Sequence, residues 1–169
     1  TREEYGKHTA LRFNGTDSYL MKADANWDGT GGMVLVGWAD FKSAGRIYDD
    51  GNFELRRLDD DKLYLSRVSG TTASSNAVFT TDTWQMYAIV TEADGTTSFY
   101  RADKTTAPTL VTASSTAGTP TGTGDLYFGS TNAPGTYINA VFDDNYIYYL
   151  DQINMPIEEW ITLLYESTK

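Results

Sequence analysis

Short runs of alternating apolar and polar residues, separated by turn residues, recur along the whole of this 169-residue chain. Successive side chains of a strand point to opposite faces, so such runs are typical of strands with one face in a core. The pattern predicts an all-β sandwich with strands near residues 9–13, 17–22, 33–40, 45–49, 52–58, 62–68, 77–80, 84–92, 96–102, 109–113, 125–129 and 138–150.

Turn residues lie between the apolar runs at Asn14-Gly15, Asp50-Gly51, Asp94-Gly95 and the aspartates 59–61. These residues tolerate positive φ or bond their own backbone, so the spacings predict β-hairpins. In the two runs that flank the turn at 59–61, one set of alternate residues is apolar and is predicted to enter the core: Phe53, Leu55, Leu63 and Leu65.

One segment, 155–166, is predicted to be helical. Asn154 is a candidate cap, Pro156 falls in the first turn, and Glu158 and Glu159 lie near the positive end of the helix dipole. An apolar stripe on this segment predicts that the helix packs against an edge or rim of the sandwich: Ile157, Trp160, Ile161 and Leu164.

The charge balance is acidic, with 13 Lys plus Arg against 23 Asp plus Glu and a net charge of −10. This balance repels phosphate backbones and anionic lipid, so nucleic acid is not an expected partner. The chain has no cysteine and one histidine, His8, which precedes the first clear strand; this composition disfavours thiolate, structural-zinc and His-dependent chemistry. No stretch reaches the roughly 20 apolar residues of a spanning helix.

The segment 104–124 is rich in Thr, Ser, Gly and Pro and is the one candidate for a linker. Strand patterns lie on both sides of it, and neither flank has enough apolar residues for a separate core. We therefore predict a single domain over 1–169.

Three segments together resemble the laminin-G-like, concanavalin A-like jelly-roll family: ALRFNGTDSYL at 10–20, WQMYAIVTEADGTTSFYRADK at 84–104, and NAVFDDNYIYYLDQINMPIEEWITLLYES at 139–167. Members of that family commonly close with a strand, an aspartate pair and a terminal helix. The resemblance implies a two-sheet antiparallel jelly-roll sandwich with a short C-terminal helix, and a binding domain before an enzyme.

The aspartate pair Asp143-Asp144 resembles the ending of these jelly rolls, in which an acidic residue often helps to hold calcium. The resemblance also implies that Asp17 lies near the pair, and calcium favours such hard oxygen ligands. The alternative is that both aspartates bond backbone amides or arginines at a strand bend.

A glycine-rich loop around Trp27 resembles a sugar-binding loop, because an indole face with flanking carboxylates and amides suits sugar C–H groups and hydroxyls. Its polar members are Asp24, Asn26 and Asp28. The alternative is that Trp27 folds back over the edge of the core. Trp38, Trp84 and Trp160 lie in strand or helix patterns and are predicted to be core residues.

A second group of candidate ligand-binding residues combines a guanidinium fork with aromatic rings: Arg46, Tyr48 and Tyr137. The alternative is an ordinary cross-strand charge pair beside a hairpin turn.

Glucanases share this type of fold, but their E-x-D-x-x-E motif is absent, and so is the G-x-S-x-G motif of serine hydrolases. A Ser-His-Asp arrangement would have to use His8. We therefore expect a domain without catalytic activity.

Two functions follow as hypotheses. The first is a noncatalytic, lectin-like carbohydrate-binding module of a surface, secreted or viral protein, located outside the cell or on a virion and binding polysaccharide or glycan. The second is a structural decoration or interaction domain on a phage capsid or tail, within a larger protein assembly such as a virion.

Overall fold

The computed structural model describes residues 2–5, 8–25, 27–67, 72–76, 79–116, 121–122, 124–131 and 135–169. Along these residues the strands are β1 (Arg2–Tyr5), β2 (His8–Asn14), β3 (Leu20–Lys22), β4 (Trp27–Asp28), β5 (Met33–Phe41), β6 (Gly45–Asp49), β7 (Phe53–Arg57), β8 (Leu63–Arg67), β9 (Thr72–Ser74), β10 (Trp84–Thr91), β11 (Thr96–Asp103), β12 (Thr109–Thr116), β13 (Thr121–Gly122), β14 (Leu126–Phe128) and β15 (Asn139–Tyr149). A short 3₁₀ turn (Leu150–Gln152) and the helix α1 (Ile157–Thr168) follow.

Two antiparallel sheets form the sandwich. The seven-stranded sheet has the order β1-β2-β15-β5-β10-β11-β12, and the six-stranded sheet has the order β3-β14-β6-β7-β8-β9. Within a sheet, strands that are distant in sequence are neighbours, such as β2 and β15, because the chain passes repeatedly from one sheet to the other. The predicted fold class, a two-sheet antiparallel jelly-roll sandwich with a short C-terminal helix, is confirmed.

The main core lies between the two sheets, where alternate residues of each strand meet. The four predicted core residues of β7 and β8 are buried, whereas Glu54, Arg56 and Tyr64 face outward and are half-buried. The buried members of this core are Phe13, Met33, Leu35, Ala39, Phe41, Ile47, Tyr48, Phe53, Leu55, Leu63, Leu65, Ala73, Phe79, Tyr87, Ile89, Phe99, Ile138, Ala140 and Phe142.

A second core lies on the opposite face of the seven-stranded sheet, beneath α1. All nine residues of β5 are buried because both of its faces are covered. The buried members of this second core are Val34, Val36, Trp38, Met86, Ala88, Val90, Tyr100, Ala102, Ile161 and Tyr165, with Trp84, Ile157, Trp160 and Leu164 packed against them. The helix thus covers a sheet face rather than an edge or rim, which corrects the sequence prediction.

Helix α1 begins after Pro156, whose backbone is the N-cap and which has no side-chain capping bond. Asn154 is therefore not the cap, and Pro156 stands just before the first turn rather than in it, because the helix begins at Ile157. Glu158 and Glu159 lie in the first turn, as predicted. No helix in the described part of the chain is long and apolar enough to span a membrane.

The predicted strand at 77–80 is not formed in its described part: residues 77 and 78 lie outside the described residues, and Phe79 and Thr80 are in no strand. Phe79 is instead held in the core by polar bonds of its backbone. Its N–H donates to the Asp61 carbonyl at 2.7 Å, and its carbonyl accepts from the buried Arg57 Nε at 2.9 Å.

Short strands at β1, β4, β9 and β13 carry too few residues for a periodicity and were not predicted. His8 is the first residue of β2 and pairs with Tyr5 in β1, so the sequence placed it wrongly before the first strand.

Asp103 ends β11 and organises the turn to β12. Its Oδ1 accepts from the Thr105 N–H at 2.8 Å, the Thr105 hydroxyl at 2.7 Å and the Thr106 N–H at 2.8 Å. These bonds lower the pKa of Asp103 from 3.8 to about 2, and the bond from the Thr105 backbone has the largest effect. Because the folded-state pKa is the lower one, the contribution of Asp103 to stability is complete above about pH 4 and is lost between about pH 4 and pH 2.

We expect carboxyl-carbon NMR to give a titration midpoint near 2 for Asp103 in the native protein. Thr105→Ala removes the hydroxyl bond and should raise this midpoint, while an unstructured peptide spanning 101–108 should titrate near the ordinary value. A native midpoint equal to that of the peptide would contradict the prediction.

Candidate ligand-binding face

The outward face of the six-stranded sheet carries one row of side chains across four strands. Met21 of β3 pairs with Tyr127 of β14, Tyr127 pairs with Asp49 of β6, and Asp49 pairs with Glu54 of β7. Residues directly opposite each other in antiparallel strands share a face. Because Phe128, next to Tyr127, belongs to the core side, this row faces away from the core.

Three tyrosines gather at one end of this row, and we call them the tyrosine cluster: Tyr19, Tyr127 and Tyr137. The ring centroids of Tyr19 and Tyr127 lie 5.8 Å apart, and those of Tyr19 and Tyr137 lie 6.4 Å apart. Tyr19 is 41% exposed, and Met21 beside it is 51% exposed. The cluster therefore presents aromatic and apolar surface to solvent.

A set of paired charges lies next to the cluster on the same face, and we call it the arginine–carboxylate network: Arg46, Asp49, Glu54 and Arg56. Arg46 Nε lies 2.7 Å from Glu54 Oε2 and 3.3 Å from Asp49 Oδ2. Arg56 Nε lies 3.4 Å from Glu54 Oε1, and its guanidinium lies 4.4 Å from the centre of the Tyr64 ring.

These contacts hold the network in one arrangement before any ligand arrives. Arg46 directs its Nε at two carboxylates, whereas Arg56 Nε makes only a charge contact with Glu54 and has no hydrogen-bond partner among the described residues. A guanidinium carries further N–H donors on its two Nη atoms. The face can therefore offer hydrogen-bond donors and acceptors beside the exposed ring of Tyr19 and the half-buried rings of Tyr127 and Tyr137.

The structure brings together two of the predicted ligand-binding residues, Arg46 and Tyr137. A Cβ added to Gly45, which precedes Arg46, would lie 2.8 Å from the Tyr137 carbonyl oxygen, so the two backbones touch. Tyr19 and Tyr127 complete this region and were missed. Sequence alternation could assign Tyr127 to the outer face, but nothing local shows that β3 and β14 are neighbours.

Tyr48 is not a surface residue, contrary to the sequence prediction. It is 5% exposed, and its ring stacks on Phe128 with centroids 4.9 Å apart. The pairing of β6 with β7 shifts between Arg46 and Tyr48, so this bulge turns both Ile47 and Tyr48 inward. Burial raises the pKa of Tyr48, whose hydroxyl bonds that of Tyr87.

The Trp27 loop lies at the other end of the sandwich. Asn26 and the side chain of Trp27 lie outside the described residues; the backbone of Trp27 pairs with Gly122. Asp24 is exposed, with a positive φ of 49°, and its N–H donates to Asp125 Oδ1 at 3.1 Å.

Asp28 is exposed and accepts from the Thr30 N–H at 3.0 Å; this bond lowers its pKa. It lines a cavity of about 370 Å³ with Tyr149 and Asp151. Tyr149 ends the 11-residue β15, whose start adjoins Tyr137, and that strand spans roughly 33 Å. Asp28 and the tyrosine cluster therefore lie on separate surfaces, whereas Asp24 contacts Asp125, two residues before Tyr127.

The three predicted metal-binding aspartates do not meet. Asp17 lies in the turn after β2, where its Oδ1 accepts from Asn14 Nδ2 at 2.8 Å, and Asn14 pairs with Asn139. Asp143 is four residues further along β15, roughly 13 Å away. Within the described ranges, no group of three or more His, Cys, Asp or Glu side chains is placed to hold a metal ion.

Asp143 and Asp144 lie at a bulge, where the pairing of β15 with β5 shifts between Asp143 and Tyr146. Asp143 Oδ1 accepts from the Asp144 N–H at 3.0 Å, and Asp144 Oδ1 accepts from the Tyr146 hydroxyl at 3.1 Å. Calcium takes six to eight oxygen ligands, so Asp143 and Asp144 without Asp17 do not form the predicted three-aspartate site.

A cavity of about 330 Å³ lies between the sheets beside this bulge, and we call it the inter-sheet cavity. Most of its lining is apolar, and the polar part comes from the bulge residues Asp143, Asp144 and Asn145. The lining residues are Leu11, Leu20, Tyr48, Phe128, Phe142, Asp143, Asp144, Asn145 and Ile147.

No protein-family model and no curated protein matches this chain in sequence. Among solved structures, the binding domain of Paraclostridial Mosquitocidal Protein 1 superposes with a TM-score of 0.73 and 11% identity, over 99% of this chain and 45% of that chain. Trypanosoma rangeli sialidase in complex with the inhibitor DANA gives a TM-score of 0.64 and 13% identity, over 97% of this chain and 28% of that chain.

Domains LG4-5 of the mouse laminin α1 chain give a TM-score of 0.56 and 14% identity, over 87% of this chain and 44% of that chain. The chain thus spans less than half the length of each of these three structures. At such identities the similarity shows the fold alone. This chain has the laminin-G-like, concanavalin A-like jelly-roll fold that its sequence predicts.

Proposed function

We propose that this domain is a noncatalytic, lectin-like carbohydrate-binding module that attaches a surface, secreted or viral protein to a glycan. The observation that carries the proposal is the tyrosine cluster beside the arginine–carboxylate network on one sheet face. Tyrosine rings offer apolar faces to sugar C–H groups, and the network offers donors and acceptors to sugar hydroxyls.

The chemistry of the network also supports binding without catalysis. Glycoside hydrolysis uses two carboxyl groups that flank one scissile bond. The two carboxylates of this face, Asp49 and Glu54, are both directed at Arg46. The similarity to the binding domain of a mosquitocidal protein and to laminin domains LG4-5 is consistent with attachment. The similarity to a sialidase makes hydrolysis the activity to test against.

A flat sheet face buries little of a sugar, so each contact with a glycan should be weak. Useful attachment then needs several copies of the domain or a repeated glycan, because linked sites raise the effective affinity. Repeated glycans are found outside the cell, so we propose that the domain is located on a secreted protein, a cell surface or a virion.

The test is a glycan-array screen of the purified domain, presented on a multivalent support, with Tyr127→Ala as the probe variant. We expect this variant to bind about tenfold less because one stacking surface is lost. Tyr146→Ala is the control, because it removes the same ring from a 40% exposed tyrosine on β15, away from the cluster. It should bind like the native domain.

Trp27→Ala separates the two candidate surfaces, and hydrolysis of each retained glycan is followed by mass spectrometry. Loss of binding in Trp27→Ala but not in Tyr127→Ala would move the site to the Trp27 loop. Release of a cleaved sugar would contradict the noncatalytic assignment. An array with no retained glycan would contradict carbohydrate binding and favour the structural decoration role.

A further inference from the structure

The six-stranded sheet has an open edge at β3 whose side chains are unusually apolar for an exposed strand. All three residues of β3 are exposed, and Leu20 and Met21 are 49% and 51% exposed. One side of β3 pairs with β14; along the described residues its other side has no strand partner. Natural proteins commonly protect such an edge with charges, proline or a covering segment, because it is a template for another strand.

Along the described strands, the six-stranded sheet is one strand shorter than the sheet that it packs against. The edge strands β9 and β12 contact each other and close one side of the sandwich. Counting inward from that side places β14 over β15 and β3 over β2, so β1 has no partner among the described strands of the other sheet. A seventh strand beside β3 would complete the six-stranded sheet over β1.

The inter-sheet cavity lies next to the same edge. Leu20 of β3 and Leu11 of β2 both line it, together with Phe128, Phe142 and Ile147. Since Leu20 is also half-exposed, it stands at the mouth of this cavity. An apolar side chain that points inward from an added strand can enter here.

The surroundings of β3 are acidic. Asp17 and Asp24 lie in the segments on either side of it, Asp125 precedes β14, and Asp143 and Asp144 line the cavity. Lys22 is the one basic residue of β3, and the chain as a whole has a net charge of −10. A strand that approaches this edge is therefore favoured when it is basic and disfavoured when it is acidic.

We propose that β3 is a docking edge for an extended, basic segment of a partner polypeptide. The segment adds to the six-stranded sheet as a seventh strand, and one of its apolar side chains enters the inter-sheet cavity. Main-chain hydrogen bonds supply the affinity in this mode of recognition, and the cavity and the aspartates supply the selectivity. This edge adjoins the proposed glycan-binding site, since Met21 of β3 pairs with Tyr127, but the added strand would use the main chain and the inward side of β3.

The probe is an end-blocked hexapeptide of alternating valine and lysine, titrated into isotope-labelled protein and followed by NMR. We expect saturable binding with a Kd below about 1 mM, with the largest shifts at residues 20–22 and at the methyl groups of Leu11 and Ile147. An alternating valine and glutamate peptide should bind at least tenfold more weakly. The valine and lysine peptide with every backbone nitrogen methylated should not bind, because it lacks the donors of a strand.

Leu20→Lys should weaken binding at least tenfold, because it places a charge at the cavity mouth and at the edge. The matched control is Leu110→Lys, which introduces the same charge at a 47% exposed leucine of the edge strand β12; it should bind normally. Tyr127→Ala should retain peptide binding whatever its effect on glycans.

Three results would overturn the proposal: no binding at 1 mM peptide, equal binding of the methylated peptide, or shifts centred away from β3. Dimerisation of the protein alone, abolished by Leu20→Lys, would also overturn it, because the occupant of the edge would then be a second copy of this chain.

Discussion

Replacing Phe142 with alanine is expected to lower the free energy of unfolding by about 4 kcal/mol. Phe142 is 1% exposed and lies where both sheets meet. Its ring is close to three other phenylalanine rings, with centroid distances of 5.7 Å to Phe13, 5.8 Å to Phe41 and 4.8 Å to Phe128. Alanine removes the buried ring and all three aromatic contacts together.

The neighbouring rings cannot easily fill the space that is left. Phe13 and Phe41 come from the same sheet as Phe142, and Phe128 comes from the other sheet, so closing the gap would move the sheets towards each other. The cost therefore includes a cavity as well as the lost transfer free energy. The inter-sheet cavity, which Phe142 already lines, would become larger.

Urea unfolding of both proteins, monitored by tryptophan fluorescence, measures the difference. Leu163→Ala is the control, because Leu163 is 53% exposed on α1 and alanine favours a helix; its effect should be within about 0.5 kcal/mol. If Phe142→Ala lost less than about 2 kcal/mol, the four-ring cluster would not be the centre of the core.

The hydrophobic period of two predicted most of the sandwich, because burial on one face imposes it on each strand separately. The predicted strand at 45–49 matches β6, and Phe53 and Leu55 enter the core as expected. Tyr48 was predicted to bind ligand because it lies with Arg46 beside a hairpin turn, and it is buried instead. A bulge inserts one residue and inverts the alternation after it, and its position depends on the pairing with β7 rather than on local sequence.

The candidate site was harder to predict because it is assembled from strands that are distant in sequence. Tyr19, Tyr127 and Tyr137 converge only because β14 lies between β3 and β6. Asp17 was predicted to lie near Asp143 and Asp144, and strand pairing that is likewise not visible in the sequence keeps them apart. The register of β2 against β15 sets these aspartates apart, and no spacing in the sequence records that register.

The packing partner of the C-terminal helix was also not predicted from its own sequence. The apolar stripe of Ile157, Ile161 and Leu164 predicted a packed helix correctly, since one stripe must be buried. Its partner surface could not be predicted from the stripe. The clue lay in β5 and β10, which are apolar at successive positions and thus need cover on both faces.

Replacing Gly37 with alanine is expected to destabilise the protein by about 3 kcal/mol. Gly37 of β5 lies opposite Tyr87 of β10, and the β15 bulge places the Asn145 side chain over it. An added Cβ would lie 2.5 Å from Asn145 Cγ and closer still to its Oδ1. Asn145 cannot move aside freely, because its Nδ2 donates to the Asp143 carbonyl at 2.8 Å and its Oδ1 accepts from the Tyr87 hydroxyl.

The loss has two parts, overpacking at the new methyl group and a broken bond to the buried hydroxyl of Tyr87. A double-mutant cycle separates them. Asn145→Ala alone should cost about 2 kcal/mol, since it leaves the Tyr87 hydroxyl without this acceptor. In the Asn145→Ala background, Gly37→Ala should become nearly neutral, because the obstructing side chain is gone.

Gly31→Ala is the matched control, because a Cβ added there meets nothing within 4 Å and φ is not positive. It should change the free energy of unfolding by less than about 0.5 kcal/mol. Urea unfolding of the four proteins of the cycle and of this control measures these free energies. Additive losses for Gly37→Ala and Asn145→Ala would mean that the Asn145 side chain does not occupy the space over Gly37, and that the bulge is held by its backbone alone.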